Sequence, residues 1–342
     1  MAATAQRIVL AARPVGEPKP ENFRLENVQV PSAGPGEVLL RTIWLSLDPY
    51  MRGRMSDAAS YAAPVQVGNV MEAATVSEVV GSNHTDFKAG DIVLGRAGWQ
   101  THFVSDGRGL RKVAAKAAPI STALGVLGMP GMTAYTGLLD IGQPQPGETV
   151  VVAAASGAVG SAVGQIAKIK GARAIGIAGG AEKCKYVTEV LGFDACVDHR
   201  DPDMAAKLGA ACPKGIDVYF ENVGGKVFEA VLPLLNPFAR IPVCGLISQY
   251  NAFEEEKGGK AMSFLMRNVL TKRLSIRGFI VSDFASRYDE FIANMTKWFA
   301  DGKLKHRETV AEGLANAPTA FIGLLRGENF GKQLVRIGPD KA

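Results

Sequence analysis

Short apolar runs alternate with polar positions in the first third of the chain, and the period changes further on. Glu37-Val38-Leu39-Leu40-Arg41-Thr42-Ile43, residues 71–80 and Asp91-Ile92-Val93-Leu94-Gly95 read as strands, punctuated by glycine and proline. Strands at that spacing predict a partly open β-barrel. The text changes near Ser121. From Val150 onward, apolar runs alternate with amphipathic stretches. Six strands are predicted there, over 149–154, 172–178, 195–198, 216–221, 240–244 and 275–280, with helices over 160–170 and 181–191 between them. Strands separated by helices predict parallel pairing in a doubly wound sheet. The C-terminal segment returns to mixed text, with a final strand over 332–337. The fold class is therefore α/β. A barrel domain at 1–125, rejoined by 300–342, is interrupted by a doubly wound domain at 126–299.

Composition agrees with this division. The chain has 342 residues, and domains run to about 100–200 residues each. It is 47% hydrophobic and 21% charged, which is too apolar for disorder and ample for two cores. The net charge is +5, but the basic residues are scattered, with no clustered patch and interleaved aromatics such as a nucleic acid would need. The N-terminal apolar run is too short for a signal peptide, and no run of 18 apolar residues predicts a membrane span. A cytoplasmic protein is expected, without a nucleic-acid or membrane partner. Four cysteines, Cys184, Cys196, Cys212 and Cys244, show no C-x-x-C spacing and are expected to be reduced.

The candidate chemistry begins at the first strand of the second domain. Thr149-Val150-Val151-Val152-Ala153-Ala154 runs into Ala155-Ser156-Gly157-Ala158-Val159-Gly160, and a helix follows. Gly157 and Gly160 permit a tight turn and close approach of the backbone to a pyrophosphate. The N–H groups at the helix start, around Ala158 and Val159, carry partial positive charge. The pattern is that of a Rossmann dinucleotide site. The next strand chooses between cofactors. A site for NAD places Asp or Glu at the end of that strand, on the ribose 2′-hydroxyl. Here the strand ends in Gly179-Gly180, and Lys183 follows three residues on. Small residues leave room for a 2′-phosphate and lysine pairs with it, so NADP is expected.

Zinc alcohol dehydrogenases need thiolate and imidazole ligands. All four cysteines fall after Lys183, and His84, His102 and His306 lack thiolate companions. No metal site is expected. Addition of hydride to a conjugated C=C needs only a hydrogen-bond donor for the developing enolate oxygen.

Six separated segments carry a family resemblance. They are Pro20-Glu21-Asn22-Phe23, Ser46-Leu47-Asp48-Pro49-Tyr50-Met51-Arg52, Gly128-Met129-Pro130-Gly131-Met132-Thr133-Ala134-Tyr135, Tyr219-Phe220-Glu221-Asn222-Val223-Gly224-Gly225, Cys244-Gly245-Leu246-Ile247-Ser248-Gln249-Tyr250-Asn251 and Gly327-Glu328-Asn329-Phe330-Gly331-Lys332. In that order they resemble the prostaglandin reductase and alkenal double-bond reductase family of zinc-free medium-chain dehydrogenases/reductases, and within it the bacterial NADPH-dependent curcumin reductases. The resemblance implies a GroES-like barrel beside the Rossmann domain, a homodimer, and NADPH-dependent reduction of α,β-unsaturated ketones and aldehydes such as curcumin-type enones, alkenals and oxo-lipids. A quinone oxidoreductase of the same superfamily is the alternative, and a non-enzymatic binding protein on a retained fold the remote one. By the same resemblance, Gly157 to Gly160 hold the pyrophosphate and Lys183 the 2′-phosphate. Asn222, the run Cys244, Gly245, Leu246, Ile247, Ser248, Gln249 and Tyr250, then Phe279, Ile280, Val281 and Asn329 line the ribose and nicotinamide. Met129 and Thr133 lie near the nicotinamide, and Tyr50 and Tyr250 face the substrate, with Tyr250 as the catalytic donor. The family's tyrosine near the 2′-phosphate is His199 here, and a family serine in the loop before Lys183 is Gly180. Substrate choice is expected from the loops at 57–64 and 251–261.

Overall fold

The computed structural model describes residues 4–114, 118–251 and 260–340. It divides into two compact units, residues 1–125 with 308–342, and residues 126–307.

The second unit is built on six parallel strands. Taken in chain order they are Thr149–Ala153, Arg173–Ala178, Ala195–Asp198, Ile216–Phe220, Leu235–Val243 and Ser275–Gly278. Across the sheet they lie third, second, first, fourth, fifth, sixth. That is the doubly wound order, in which the winding reverses between the first and fourth strands and ligands bind at the carboxyl ends there. The first strand is buried at all five positions, so it reads as one continuous apolar run rather than an alternating one. Its core partners include Ile175, Ile177, Tyr219, Val227, Val231 and Ile241.

Several boundaries differ from expectation. The fifth strand begins five residues before the expected 240, at Leu235. An irregular register against the fourth strand and a left-handed backbone at Phe238, φ 65°, broke the sequence pattern there. The sixth stops at Gly278, because Ile280 caps a 3₁₀ turn, its N–H donating to Asp283 Oδ2 at 3.1 Å. The helices run over Ala158–Ile169 and Ala181–Glu189. Residues 301–307 stay with this unit rather than leaving it at 300. Gln165 explains this: its Nε2 donates to Lys305 O at 2.9 Å and its Oε1 accepts from Lys305 N at 2.7 Å.

The other unit holds a seven-stranded, mainly antiparallel sheet. The central strand Val38–Ser46 pairs with Thr75–Ser82 on one side. On the other side its first half pairs with His102–Ser105 and its second half with Lys332–Arg336. The chain's last described strand is thus woven into its N-terminal sheet. The path is open at Glu308–Glu312 and at Arg111–Lys112, as a partly open barrel requires. The strand expected over 71–80 is Thr75–Ser82. Met71 instead donates its N–H to Ile8 O at 3.0 Å, serving a two-stranded sheet of Thr4–Leu10 and Phe23–Gln29. The core gathers around Trp99, stacked on Phe23 at 5.4 Å and edge-on to Phe321 at 5.8 Å.

Candidate active site

The glycine turn follows the first strand of the parallel sheet. Ala154 takes a left-handed conformation, φ 53°, which is rare for a residue with a Cβ and typical of functional turns. Gly157 then caps the helix without any side-chain cap, and its N–H donates to Ala154 O at 2.9 Å. Ala158, Val159 and Gly160 form the first helical turn, where N–H groups have no carbonyl four residues back within the helix. Gly160 presses on the strand end: a Cβ there would lie 2.3 Å from Ala154 O. Gly164, one turn on, was missed by the sequence reading. Its absent Cβ leaves room for the Phe193 ring, which would otherwise be 1.9 Å away. Gly160, the last glycine of the fingerprint, serves helix–strand packing; Gly164 lies beyond that motif, and no local signal pointed to it.

The end of the second strand gathers cations. Gly179 and Gly180 form the loop, with Gly180 at φ 96°. Asp198 Oδ1 accepts N–H bonds from Gly180 and Arg200, both at 2.9 Å. Those bonds tie the loop to the end of the third strand. His199 Nε2 and Arg200 Nε then lie 2.8 and 3.2 Å from where a Gly179 Cβ would be. Lys183 stands half-buried in the first turn of the following helix. Its ammonium is held below the ordinary lysine value by desolvation first and by the Arg200 guanidinium next. His199 is lowered by the same two causes in the same order. Lys183, His199 and Arg200 therefore act on one another as like charges. Such a cluster is unfavourable alone and suits a dianion. Arg200 was not among the expected site residues; its place beside His199 in the sequence was the only hint.

The third element follows the fourth strand. Asn222 Nδ2 donates to Ala153 O at 2.8 Å, bridging the two strand ends at the switch point. Glu221 organises the turn. It is 2% exposed, and its Oε1 accepts from Val223 N at 2.6 Å, Gly224 N at 2.9 Å and Tyr219 Oη at 3.0 Å. Burial raises its pKa above the usual carboxyl value. The run from Cys244 to Tyr250 folds onto this turn: Cys244 N and Gly245 N donate to Glu221 O, Ile247 N to Asn222 O, and Ser248 N and Oγ to Val223 O. Leu246 Cδ2 and the Gln249 amide nitrogen lie 3.1 and 3.5 Å from where a Gly224 Cβ would be. Tyr250 curls back, with its hydroxyl 3.0 Å from a Cβ built on Gly245. The Cys244 thiol is pushed up to about 12 by burial.

The remaining expected residues are placed as follows. Thr133 Oγ1 donates to Met129 O at 2.8 Å, which satisfies its hydroxyl proton within its own helix. The Phe279 ring turns inward, edge-on to Phe220 at 6.2 Å. Ile280 and Val281 are half-buried beside it. In the other unit, Asn329 Nδ2 donates to Gly331 O at 2.7 Å. Tyr50 is raised above the ordinary phenol value by burial first and by Asp48 next. Asp48 itself forms a buried pair with Lys332 Nζ at 2.9 Å. The 57–64 loop is held by Arg54, whose Nη1 donates to Ala62 O at 3.0 Å and whose guanidinium covers the Tyr61 ring at 4.5 Å. Of the other expected substrate loop, residues 252–259 lie outside the described residues.

Comparison with known proteins gives the family. Residues 6–113 match the N-terminal domain of oxidoreductase and residues 158–298 the family described as zinc-binding dehydrogenase. The NADPH-dependent curcumin reductase of Escherichia coli strain K12 is 58% identical over 98% of this chain and 97% of its own. Prostaglandin reductase 1 of Bos taurus is 41% identical over 94% and 96%. The chain belongs to the curcumin and prostaglandin reductase family. The crystal structure of CurA from Vibrio vulnificus in complex with NADPH superposes with a TM-score of 0.95, at 56% identity over 98% of this chain and 100% of the other. Like its relatives, this member of the family of medium-chain dehydrogenases/reductases joins an antiparallel-sheet domain to a Rossmann-type domain. The matched family's description names zinc, but among the described residues no group of three or more His, Cys, Asp or Glu could hold a metal ion.

Proposed function

We propose that this protein uses NADPH to reduce the C=C bond of α,β-unsaturated ketones and aldehydes, curcumin-type enones and alkenals among them. The observation that carries the cofactor choice is the convergence of Lys183, His199 and Arg200 on the acid-free Gly179–Gly180 loop. Gly157 and Gly160 let the helix start sit close on the strand end, and the N–H groups of Ala158, Val159 and Gly160, which have no partner within the helix, would hold a pyrophosphate. When bound, NADPH supplies hydride for the substrate's β-carbon. Lys183, with Arg200 and His199, holds the 2′-phosphate. Asn222, the Cys244–Tyr250 run, the Phe279–Val281 backbone, Met129, Thr133 and Asn329 orient the ribose and nicotinamide. As the substrate carbonyl gains enolate character, the Tyr250 hydroxyl donates a hydrogen bond to that oxygen. Water or Tyr250 delivers the α-carbon proton; a phenol, with a pKa of about 10, is a better hydrogen-bond donor than proton store at neutral pH, so loss of the hydroxyl slows turnover without abolishing it. Tyr50 contacts the substrate.

The test is a panel of enones, enals and quinones assayed with NADPH and NADH. Turnover of enones with a strong preference for NADPH is expected. Faster turnover of quinones than of any enone would sink the reading.

The working unit is proposed to be a homodimer. The sixth strand, Ser275–Gly278, is exposed at every position and has a strand partner on one side alone among the described residues. Unpaired edges invite pairing with a second copy. Sedimentation of Ile276→Asp should give monomer where the native protein gives dimer; a native monomer would refute it. The proposed location is the cytoplasm, where the resting state of the four free cysteines is the reduced one.

A further inference from the structure

Two of the four cysteines meet directly behind the proposed 2′-phosphate cradle. Cys184 follows Lys183 in the helix Ala181–Glu189, and Cys196 lies in the third strand, two residues before Asp198. Both are free and half-buried. Their sulfurs are 2.8 Å apart, with Cys196 donating to Cys184. Gly176, paired with Cys196 in the sheet, makes the space: a Cβ there would lie 3.4 Å from Cys196 Sγ and 2.8 Å from Val187 of the same helix. The pair thus joins the Lys183 helix to the strand whose end carries His199 and Arg200. The donated hydrogen bond holds the Cys184 thiol below its ordinary value, and the same bond pushes Cys196 up. Cys212 is core-buried, its thiol pushed up to about 11 by burial.

We propose that Cys184 and Cys196 form a reversible oxidation site, in which a hydroperoxide converts the dithiol to an intramolecular disulfide that shifts Lys183 and weakens NADPH binding. The Cys184 thiolate attacks the terminal oxygen of the hydroperoxide. The O–O bond breaks, the departing oxygen takes a proton and leaves as alcohol or water, and Cys184 becomes a sulfenic acid. The Cys196 sulfur then attacks Cys184. An S–S bond forms, the S–O bond breaks, and the oxygen leaves as water with the Cys196 proton. Two thiols lose two electrons and one hydroperoxide gains them. Reactivity follows thiolate character and access, so Cys184 reacts ahead of Cys212 and Cys244. The disulfide ties the first helical turn to the third strand, and with it shifts the position of Lys183, the residue next to Cys184, at the cradle. The effect on cofactor affinity rests on the NADPH reading above; the disulfide does not.

The full-length protein is treated with hydrogen peroxide, alkylated and digested, and its cross-linked peptides are mapped by mass spectrometry. KM for NADPH and for NADH is measured before and after, and again after dithiothreitol. The expected result is a Cys184–Cys196 cross-link with a rise in NADPH KM of about tenfold, the scale of one charge-assisted hydrogen bond. NADH KM stays unchanged, and dithiothreitol reverses the rise. Cys196→Ser should lose both the cross-link and the response while keeping native NADPH KM; Cys196→Ala serves if serine impairs folding. Oxidation at Cys212 or Cys244 without the cross-link overturns the site. A cross-link that moves NADPH and NADH alike, or neither, overturns the coupling to Lys183. If Lys183→Ala itself affects both cofactors equally, the 2′-phosphate assignment falls, while the mapped disulfide stands or falls separately.

Discussion

At the scale of single residues, the proposed 2′-phosphate contacts come from side chains that the fold draws together from two different segments. Lys183 was legible because it follows a glycine loop at a strand end. Arg200 was not read, although it adjoins His199, since the sequence does not say which way a neighbouring side chain turns. Lys183→Ala should raise KM for NADPH by about 10–100-fold, as expected for a lost charge-assisted bond of about 1.5–3 kcal/mol. KM for NADH should hardly move, and steady-state kinetics with both cofactors decides it. Arg200→Ala should act in the same direction, because Arg200 lies over the same loop. Tyr250→Phe should lower kcat by about 10²–10³-fold, the cost of one oxyanion donor, without abolishing it. Complete inactivity in a folded Tyr250→Phe protein would mean that the phenol does more than donate a hydrogen bond.

At the scale of elements, the strand–turn–helix unit was readable because its apolar run and glycines are local. Its register on the sheet was not. Gly164 lies on the buried face of the helix Ala158–Ile169, and its need for glycine comes from Phe193, 29 residues away in the sequence. Gly164→Ala should destabilise the protein by about 1–3 kcal/mol, the usual cost of overpacking, measured by urea denaturation. Phe193→Leu in the same chain should recover part of that loss. No recovery would place the strain elsewhere. The fifth strand shows the reverse limit. Its pattern predicted only 240–244, since a left-handed residue at Phe238 interrupts the alternation that sequence reading depends on.

At the scale of the whole chain, the return of the C-terminus to the first unit was legible as a change of text, but its anchor was not. Lys332 Nζ bonds Asp48 at 2.9 Å and Leu47 O at 2.6 Å, with both side chains buried. Lys332→Met would leave the Asp48 carboxylate buried without its cation, and removing one partner of such a pair costs about 3–5 kcal/mol. A lower thermal midpoint is expected, and Lys332→Met with Asp48→Asn should recover much of it. An unchanged midpoint in the single variant would show that the pair contributes nothing net.

The sequence alone determined the two-part α/β plan, the dinucleotide turn and the preference for a 2′-phosphate. Each follows from short-range patterns: hydrophobic period, glycine at a strand end, a missing carboxylate. The tertiary structure alone decided that Arg200 lies over the Gly179–Gly180 loop, that Glu221 holds the turn under Asn222 and Tyr250, and that Cys184 meets Cys196. These pairings depend on strand order, and strand order is fixed by burial of the sheet's two faces. No local pattern encodes that.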